Sequence, residues 1–349
     1  MRVRIFTLVL TFLVAGVVRG DEPTLSKYTP PADNRADEPL AKRFSMDKAV
    51  GFLDNAALDW QKKRNCFACH TNYAYLYVRP MIDAKVAAHA EIRQALEDMV
   101  SERWVLGKPR WNAEVVATAA ALAFNDSLTT KKLHPLTKVA LNKIWSVQQE
   151  DGNIPWLLCK WPPMENDDHY GVTLAALAVG VAPEGYAKTP HAQKGLEKLR
   201  GWLAKNPPQN LHHRATLLWV SAHLDGFVSP DEKKSIQKDL RAAQLADGGW
   251  SAAALFPWPR GDKATQTPNV SDGYGTGFTV YVLRQAGVPA NDPALQKGVA
   301  WLKSNQRESG RWFARSLFRD NKHYLSHAGS AFAVMALQSC ASVEAPTTR

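Results

Sequence analysis

Two kinds of apolar pattern alternate along the chain. In the first, Ala49, Phe52, Leu53, Ala56, Ala57 and Trp60 fall at i, i+3, i+4, i+7, i+8 and i+11, a single stripe on a helix whose other face is polar. In the second, apolar residues run all the way round: Val115 to Phe124 reads VVATAAALAF, Val172 to Val179 reads VTLAALAV, and Ala331 to Leu337 reads AFAVMAL. A helix with no polar face is buried on every side, and its small residues let neighbouring backbones approach closely. The first pattern predicts outer helices near 48–63, 82–104, 135–149, 191–205, 231–244 and 293–306. The second predicts inner helices near 70–79, 112–125, 169–181, 211–224, 274–286 and 326–340. An open solenoid would need polar caps at its ends, yet the last inner helix is as apolar as the middle ones. The expected architecture is therefore an all-α, single-domain (α/α)6 toroid whose last repeat closes onto its first.

The loops after the outer helices repeat as well. Lys297-Gly298, Trp301-Leu302, Gln306, Gly310 and Trp312 are followed backwards along the chain by Gln244-Leu-Ala-Asp247-Gly248-Gly249-Trp250 and by a stretched copy, Gln148 to Gly152 with Trp156. This pattern resembles the repeat of squalene and oxidosqualene cyclases and covers most of residues 46 to 340. A Gln at a helix end can bond free backbone groups of the next helix, Gly supplies the turn and Trp covers the joint. These residues are structural, and the resemblance speaks to fold rather than to activity.

Outside the repeats, Met1 to Arg4 is a short basic stretch and Ile5 to Val18 an apolar run too short to span a membrane comfortably. Residues 1–20 are expected to be a cleavable signal peptide that sends the protein to the periplasm or another exported location, with no membrane span in the mature chain. Residues 21–45, rich in Pro and charge, are expected to be a disordered linker, 46–343 the toroid and 344–349 a disordered tail. The net charge of +10 is scattered over outer helix faces in no long block, which argues for a solvated basic surface and against nucleic acid as a partner.

Four cysteines are too few for a disulfide scaffold, so their spacing matters more than their number. Cys66-Phe67-Ala68-Cys69-His70 is a C-x-x-C-H motif, the attachment signature of c-type haem, in which two thiols take the porphyrin vinyl groups and the histidine ligates the iron. It resembles the c-type cytochrome motif and suits an exported chain. Met46, Met81, Met99 and His89 are all candidates for a sixth ligand, as is an open position. A plain Cys66–Cys69 disulfide is the alternative; a structural zinc lacks a second ligand pair, and Cys159 and Cys340 carry no motif. Tyr73, Tyr75 and Tyr77 follow the motif and suit ring packing.

Glu165-Asn166-Asp167-Asp168 resembles the D-x-D-D motif of class II terpene cyclases, with Glu165 in place of the first Asp. That resemblance implies Asp167 as a proton donor to a bound terpenoid. Asp272-Gly273-Tyr274 and His327 lie where the similar ring of protein prenyltransferases has zinc ligands, but Tyr274 replaces the thiolate, so zinc is not expected. Asp167 and Asp272 are the carboxylates to test as catalytic, against helix capping. His212 and His213, adjacent on a helix, read as caps or surface residues. Asn112, Asp167, Asp168, His212, Asp272 and His327 all sit at inner-helix starts and are expected to converge on one mouth of the ring. Three functions follow as expectations: a redox or ligand-binding haem protein with a redox partner, an enzyme binding an apolar terpenoid in the ring, and a non-catalytic scaffold.

Overall fold

The computed structural model describes residues 22–320 and 324–341; the expected signal segment 1–20 and tail 344–349 lie outside them. Among the described residues, twelve helices of seven residues or more alternate between two layers: α1 (Met46–Arg64), α2 (Asn72–Val78), α3 (Ala87–Asp98), α4 (Asn112–Leu128), α5 (Pro135–Val147), α6 (Asp168–Val181), α7 (Pro190–Lys205), α8 (Leu211–Val220), α9 (Pro230–Ala242), α10 (Gly273–Gln285), α11 (Pro293–Ser304) and α12 (Tyr324–Ala341). No strand forms among the described residues, only isolated bridges. Each even-numbered helix touches the next, and α12 touches α2, so the inner helices close a circle while the odd-numbered ones pack outside it. The chain is an (α/α)6 toroid. No helix of the described residues is long and apolar enough to cross a membrane.

The repeated loops make that closure. Gln148 Nε2 donates to Gly195 O (3.0 Å) on α7, Gln244 Nε2 to Ala294 O (2.8 Å) on α11, and Gln306 Nε2 to Ser45 O (2.9 Å) at the start of α1. The last repeat thus grips the first with the bond that joins neighbours elsewhere. Gly310 turns beside it at φ +93°, where an added Cβ would lie 2.1 Å from Lys48 O on α1. Only glycine fits that approach. Trp250 and Trp312 are fully buried and donate their indole N–H to Leu240 O (2.6 Å) and Leu302 O (2.7 Å).

Inside the circle the inner helices meet over small residues; a Cβ on Gly277 of α10 would strike the Ala333 backbone of α12 at 2.5 Å. Aromatic rings span the interior. Phe124 of α4 lies 4.9 Å from Tyr77 of α2 and 5.6 Å from Trp219 of α8, which reaches Tyr281 of α10 at 5.3 Å and Phe332 of α12 at 6.0 Å. At this level the ring is a packed core rather than an open chamber for a terpenoid.

Two expectations are corrected. The outer helix placed at 82–104 starts at Ala87 and gives way at Met99–Arg103 to a π-helical turn, with a three-residue helix after it. Residues 22–45, expected as a loose linker, lie along the ring as an extended strap. Leu25 N–H donates to Glu91 (2.6 Å), Thr29 N–H to Asn55 (2.7 Å) and Ala41 N–H to Gln306 O (2.8 Å). The buried Arg311 guanidinium donates to Glu38 (2.7 Å), Ala32 O (3.0 Å) and Asp33 O (2.9 Å). Composition showed that the strap has no core of its own; it did not show that Arg311 needs carbonyls and a carboxylate from outside the repeats.

Candidate functional site

The inner-helix N-termini do share one end of the ring, because their first turns touch in sequence. Thr71 at the start of α2 bonds His327 of α12 (3.0 Å), Tyr170 of α6 stacks at 6.5 Å on His212 of α8, His212 Nε2 bonds Tyr274 Oη of α10 (2.8 Å), and Asn112 of α4 donates to Pro155 O before α6 (3.2 Å). The mouth is subdivided, however. Cys66 and Cys69 line one cavity, His70 a second, Asp167 a third and Asp272 a fourth.

The first cavity has a volume of about 430 Å³. Helix α1 ends at Arg64 and is capped by Asn65, held at φ +44°, and the turn that follows brings both thiols to the wall. All four cysteines of the chain are free, so Cys66 and Cys69 form no disulfide in this structure. Phe67, Tyr73, Trp111 and Leu157 supply apolar wall, Met99 reaches in from the π-helical turn, and the charged lining comprises Arg110, Asp98, Glu102, Glu165 and the Arg103–Glu114 ion pair (2.6 Å). Of the four proposed sixth ligands, Met99 alone lines this cavity; His89 uses one ring nitrogen on Ala84 O and the other on Asn125. Burial and the neighbouring Glu165 carboxyl push the Cys69 thiol up, and burial raises Glu165 as well. A thiol held protonated is a poor dithiol redox centre, which needs a depressed pKa.

His70 does not share that cavity. Its ring stacks on Tyr324 at 4.2 Å and meets Trp60 edge-on at 5.0 Å, while Nδ1 pairs with Thr71 Oγ1 at 2.7 Å. It lines the small neighbouring cavity with Trp161 and Met164, and Glu165 lines both spaces. The donor set thus fits covalent attachment of a porphyrin through two thioethers, with Met99 as an iron ligand. It fits ligation by His70 only if the imidazole leaves the Tyr324 stack.

The candidate catalytic carboxylates are both helix caps. Asp167 Oδ1 accepts Tyr170 N–H (3.2 Å), and Oδ2 faces His213 Nε2 (3.1 Å) and the Asn166 amide (3.3 Å). Burial pushes this carboxyl up, but the His213 bond and charge and the two other donors outweigh it, and the net direction is down. A low-pKa acceptor opposes the proton-donor role implied by the terpene cyclase resemblance. Asp272 accepts Gly275 N–H (2.8 Å) and Ala252 N–H (2.7 Å), yet burial still pushes it up to about 6. Both oxygens are engaged by backbone, and the cavity that Asp272 lines has a volume of about 40 Å³. Capping is accompanied by a lowered pKa at Asp167 and not at Asp272, where burial outweighs the backbone donors.

His212 and His213, read as caps or surface residues, are both buried. They diverge as adjacent helical residues must: His212 turns into the ring between Tyr274 and Phe278, whereas His213 turns to Asp167. There it stacks at 4.2 Å and 8° on His169, a residue the sequence patterns did not single out. The signal was weak, since His169 lies directly beside the acidic motif but its partner is on another helix.

No protein-family model matches the chain, and neither does any curated protein. Among solved structures it is similar to a glycosidase variant, with a TM-score of 0.51 and 10% identity over 84% of this chain and 97% of that one. It is also similar to ent-copalyl diphosphate synthase from Streptomyces platensis (TM-score 0.49, 14% identity, 76% of this chain) and to a type II terpene cyclase from Scytonema (0.46, 12%, 85% of this chain and 99% of that one). The chain spans 50% of the length of the ent-copalyl diphosphate synthase. At such identities the likeness concerns the fold alone: the protein is an α/α toroid.

Proposed function

We propose that the protein is an exported c-type haem protein in which the toroid holds one haem through thioether bonds from Cys66 and Cys69. The observation that carries this reading is that two free thiols at C-x-x-C-H spacing open onto one cavity that also presents a thioether, Met99. The apolar wall would enclose the porphyrin, and Arg110 would face its carboxylates, Arg103 being paired with Glu114. Bound there, a haem supplies reversible one-electron chemistry at a potential tuned by its axial ligands. Each thiol keeps its sulfur for a vinyl carbon and gives its proton to the other, so no leaving group is needed. The packed ring interior and the capped Asp167 weigh against the cyclising alternative.

The cysteine and methionine roles separate cleanly by experiment. Wild-type protein from a haem-c-maturing host is expected to stay red through acid-acetone extraction, and Cys66→Ser with Cys69→Ser is expected to lose the haem. Met99→Ala is expected to keep the covalent haem while its visible spectrum changes. Colour that acid-acetone removes from the wild type, or that survives in the double Ser variant, would contradict thioether attachment.

A further inference from the structure

The four most exposed large apolar side chains among the described residues are Leu106 (90%), Val105 (76%), Leu158 (73%) and Trp111 (61%). All four belong to two segments, 104–111 and 157–160, that meet at the rim of the first cavity. Trp111 and Leu157 line that cavity together, and Asn112, the residue after Trp111, donates to Pro155 O (3.2 Å). The other exposed apolar residues, Leu40, Leu128, Val139 and Val270, are less exposed and come from four separate places in the chain.

Local structure holds the first segment out. Helix α3 gives way to the π-helical turn at Met99–Arg103, a device frequent at functional sites, and the three-residue helix Trp104–Leu106 that follows stops at Gly107. Glu114 of α4 then braces the loop: it accepts the Trp104 indole N–H (2.8 Å) and the Arg110 N–H (3.3 Å) and pairs with Arg103 (2.6 Å). Trp104 is buried as the root of the loop, and Val105 and Leu106 project from it. A braced loop with an apolar tip, next to a second apolar tip at Leu158, marks an interaction surface.

Charge points to the partner. Lys108 and Lys160 are exposed, each two residues from an apolar tip, and neither is in an ion pair among the described residues. Arg110, at the cavity edge between them, is exposed too. The exposed carboxylates closest in sequence to the loop, Asp98 and Glu102, line the cavity. The net charge of +10 adds a long-range attraction to anionic surfaces. Protein interfaces gather apolar residues into a centre inside a polar rim, whereas here apolar residues and cations alternate along both segments. That alternation matches the boundary of an anionic bilayer, where Leu and Val enter the acyl layer, Trp sits at headgroup level and Lys stays with the phosphates. We propose that the 104–111 and 157–160 segments form a peripheral docking surface for an anionic lipid bilayer.

Protein without the expected signal segment 1–20, which would itself bind lipid, provides the test by co-sedimentation with vesicles. Binding to vesicles of phosphatidylcholine and phosphatidylglycerol is expected to be about tenfold or more tighter than to phosphatidylcholine alone, and to weaken with salt. Val105→Asp with Leu106→Asp changes only exposed side chains; affinity is expected to fall about tenfold or more at an unchanged melting temperature. Lys108→Glu with Lys160→Glu is expected to remove the preference for anionic vesicles. Leu128→Asp, at the opposite end of α4 from Trp111, is expected to change neither property. No binding to anionic vesicles, or a loss of affinity as large in Leu128→Asp, would overturn the assignment. Unchanged affinity in the double Asp variant, even with a loss in the charge variant, would mark an acidic partner rather than a bilayer and overturn it too. Cys66→Ser with Cys69→Ser is expected to bind vesicles as the wild type does, so this result and the haem result stand apart.

Discussion

Trp312→Ala is expected to destabilise the protein by about 3–5 kcal/mol, the usual cost of deleting a large buried aromatic side chain. Trp312 has no exposed surface, and its indole N–H is spent on Leu302 O at 2.7 Å. It covers the joint where Gln306 and Gly310 meet the start of α1, so its loss opens the seam between the last repeat and the first. Trp250→Ala removes the equivalent side chain, bonded to Leu240 O at 2.6 Å, and should cost a similar amount. Denaturant unfolding of both variants gives the comparison. A midpoint near that of the wild type in both would show that these tryptophans do not hold the repeats together.

Acid is expected to unfold the protein through histidines that refuse a proton. Burial and the neighbouring His213 hold His169 and His212 down to about 3, against an ordinary value of 6.5. Between those limits the unfolded chain binds protons that the folded chain does not, so their contribution is intact above about pH 6.5 and is lost as pH falls toward 3. At pH 5 each histidine accounts for about 2 kcal/mol. Asp272, pushed up to about 6, acts in the opposite sense, since the folded state takes its proton first, and offsets about 1.4 kcal/mol at pH 5. The two histidines outweigh it, and burial shifts His89 and His223 in the same direction. Stability measured by urea unfolding should therefore fall from pH 7 to pH 5, and His169→Phe should lose about 2 kcal/mol less over that interval. An equal fall in wild type and variant would show that His169 is not held neutral.

Much of the ring was legible in the chain because its defining residues act locally. A Gln at a helix end, a Gly in the next turn and a covering Trp can be recognised one repeat at a time, and the all-apolar helices declare their burial by composition. The break of the second outer helix, α3, at Met99 was not legible, since 82–104 keeps a helical pattern through it. Nor was the strap, whose anchor Arg311 stands far from Glu38 in sequence. The site was readable only in part. Spacing placed Cys66 and Cys69 together, but adjacency in sequence also suggested that His70 would face with them, and its stack on Tyr324 of α12 depends on ring closure. His169 and His213 meet only because α6 and α8 are neighbours in the circle, a relation that no local pattern carries.

Intact-protein mass tests covalent attachment of a cofactor at Cys66 and Cys69 most directly. Protein recovered from the extracytoplasmic compartment of a host that matures haem c is expected to carry the mass of its processed polypeptide plus one haem, with the added mass mapping to the peptide that contains Cys66 and Cys69. A mass equal to the polypeptide alone, in colourless protein whose two thiols are free or joined as a disulfide, would contradict it.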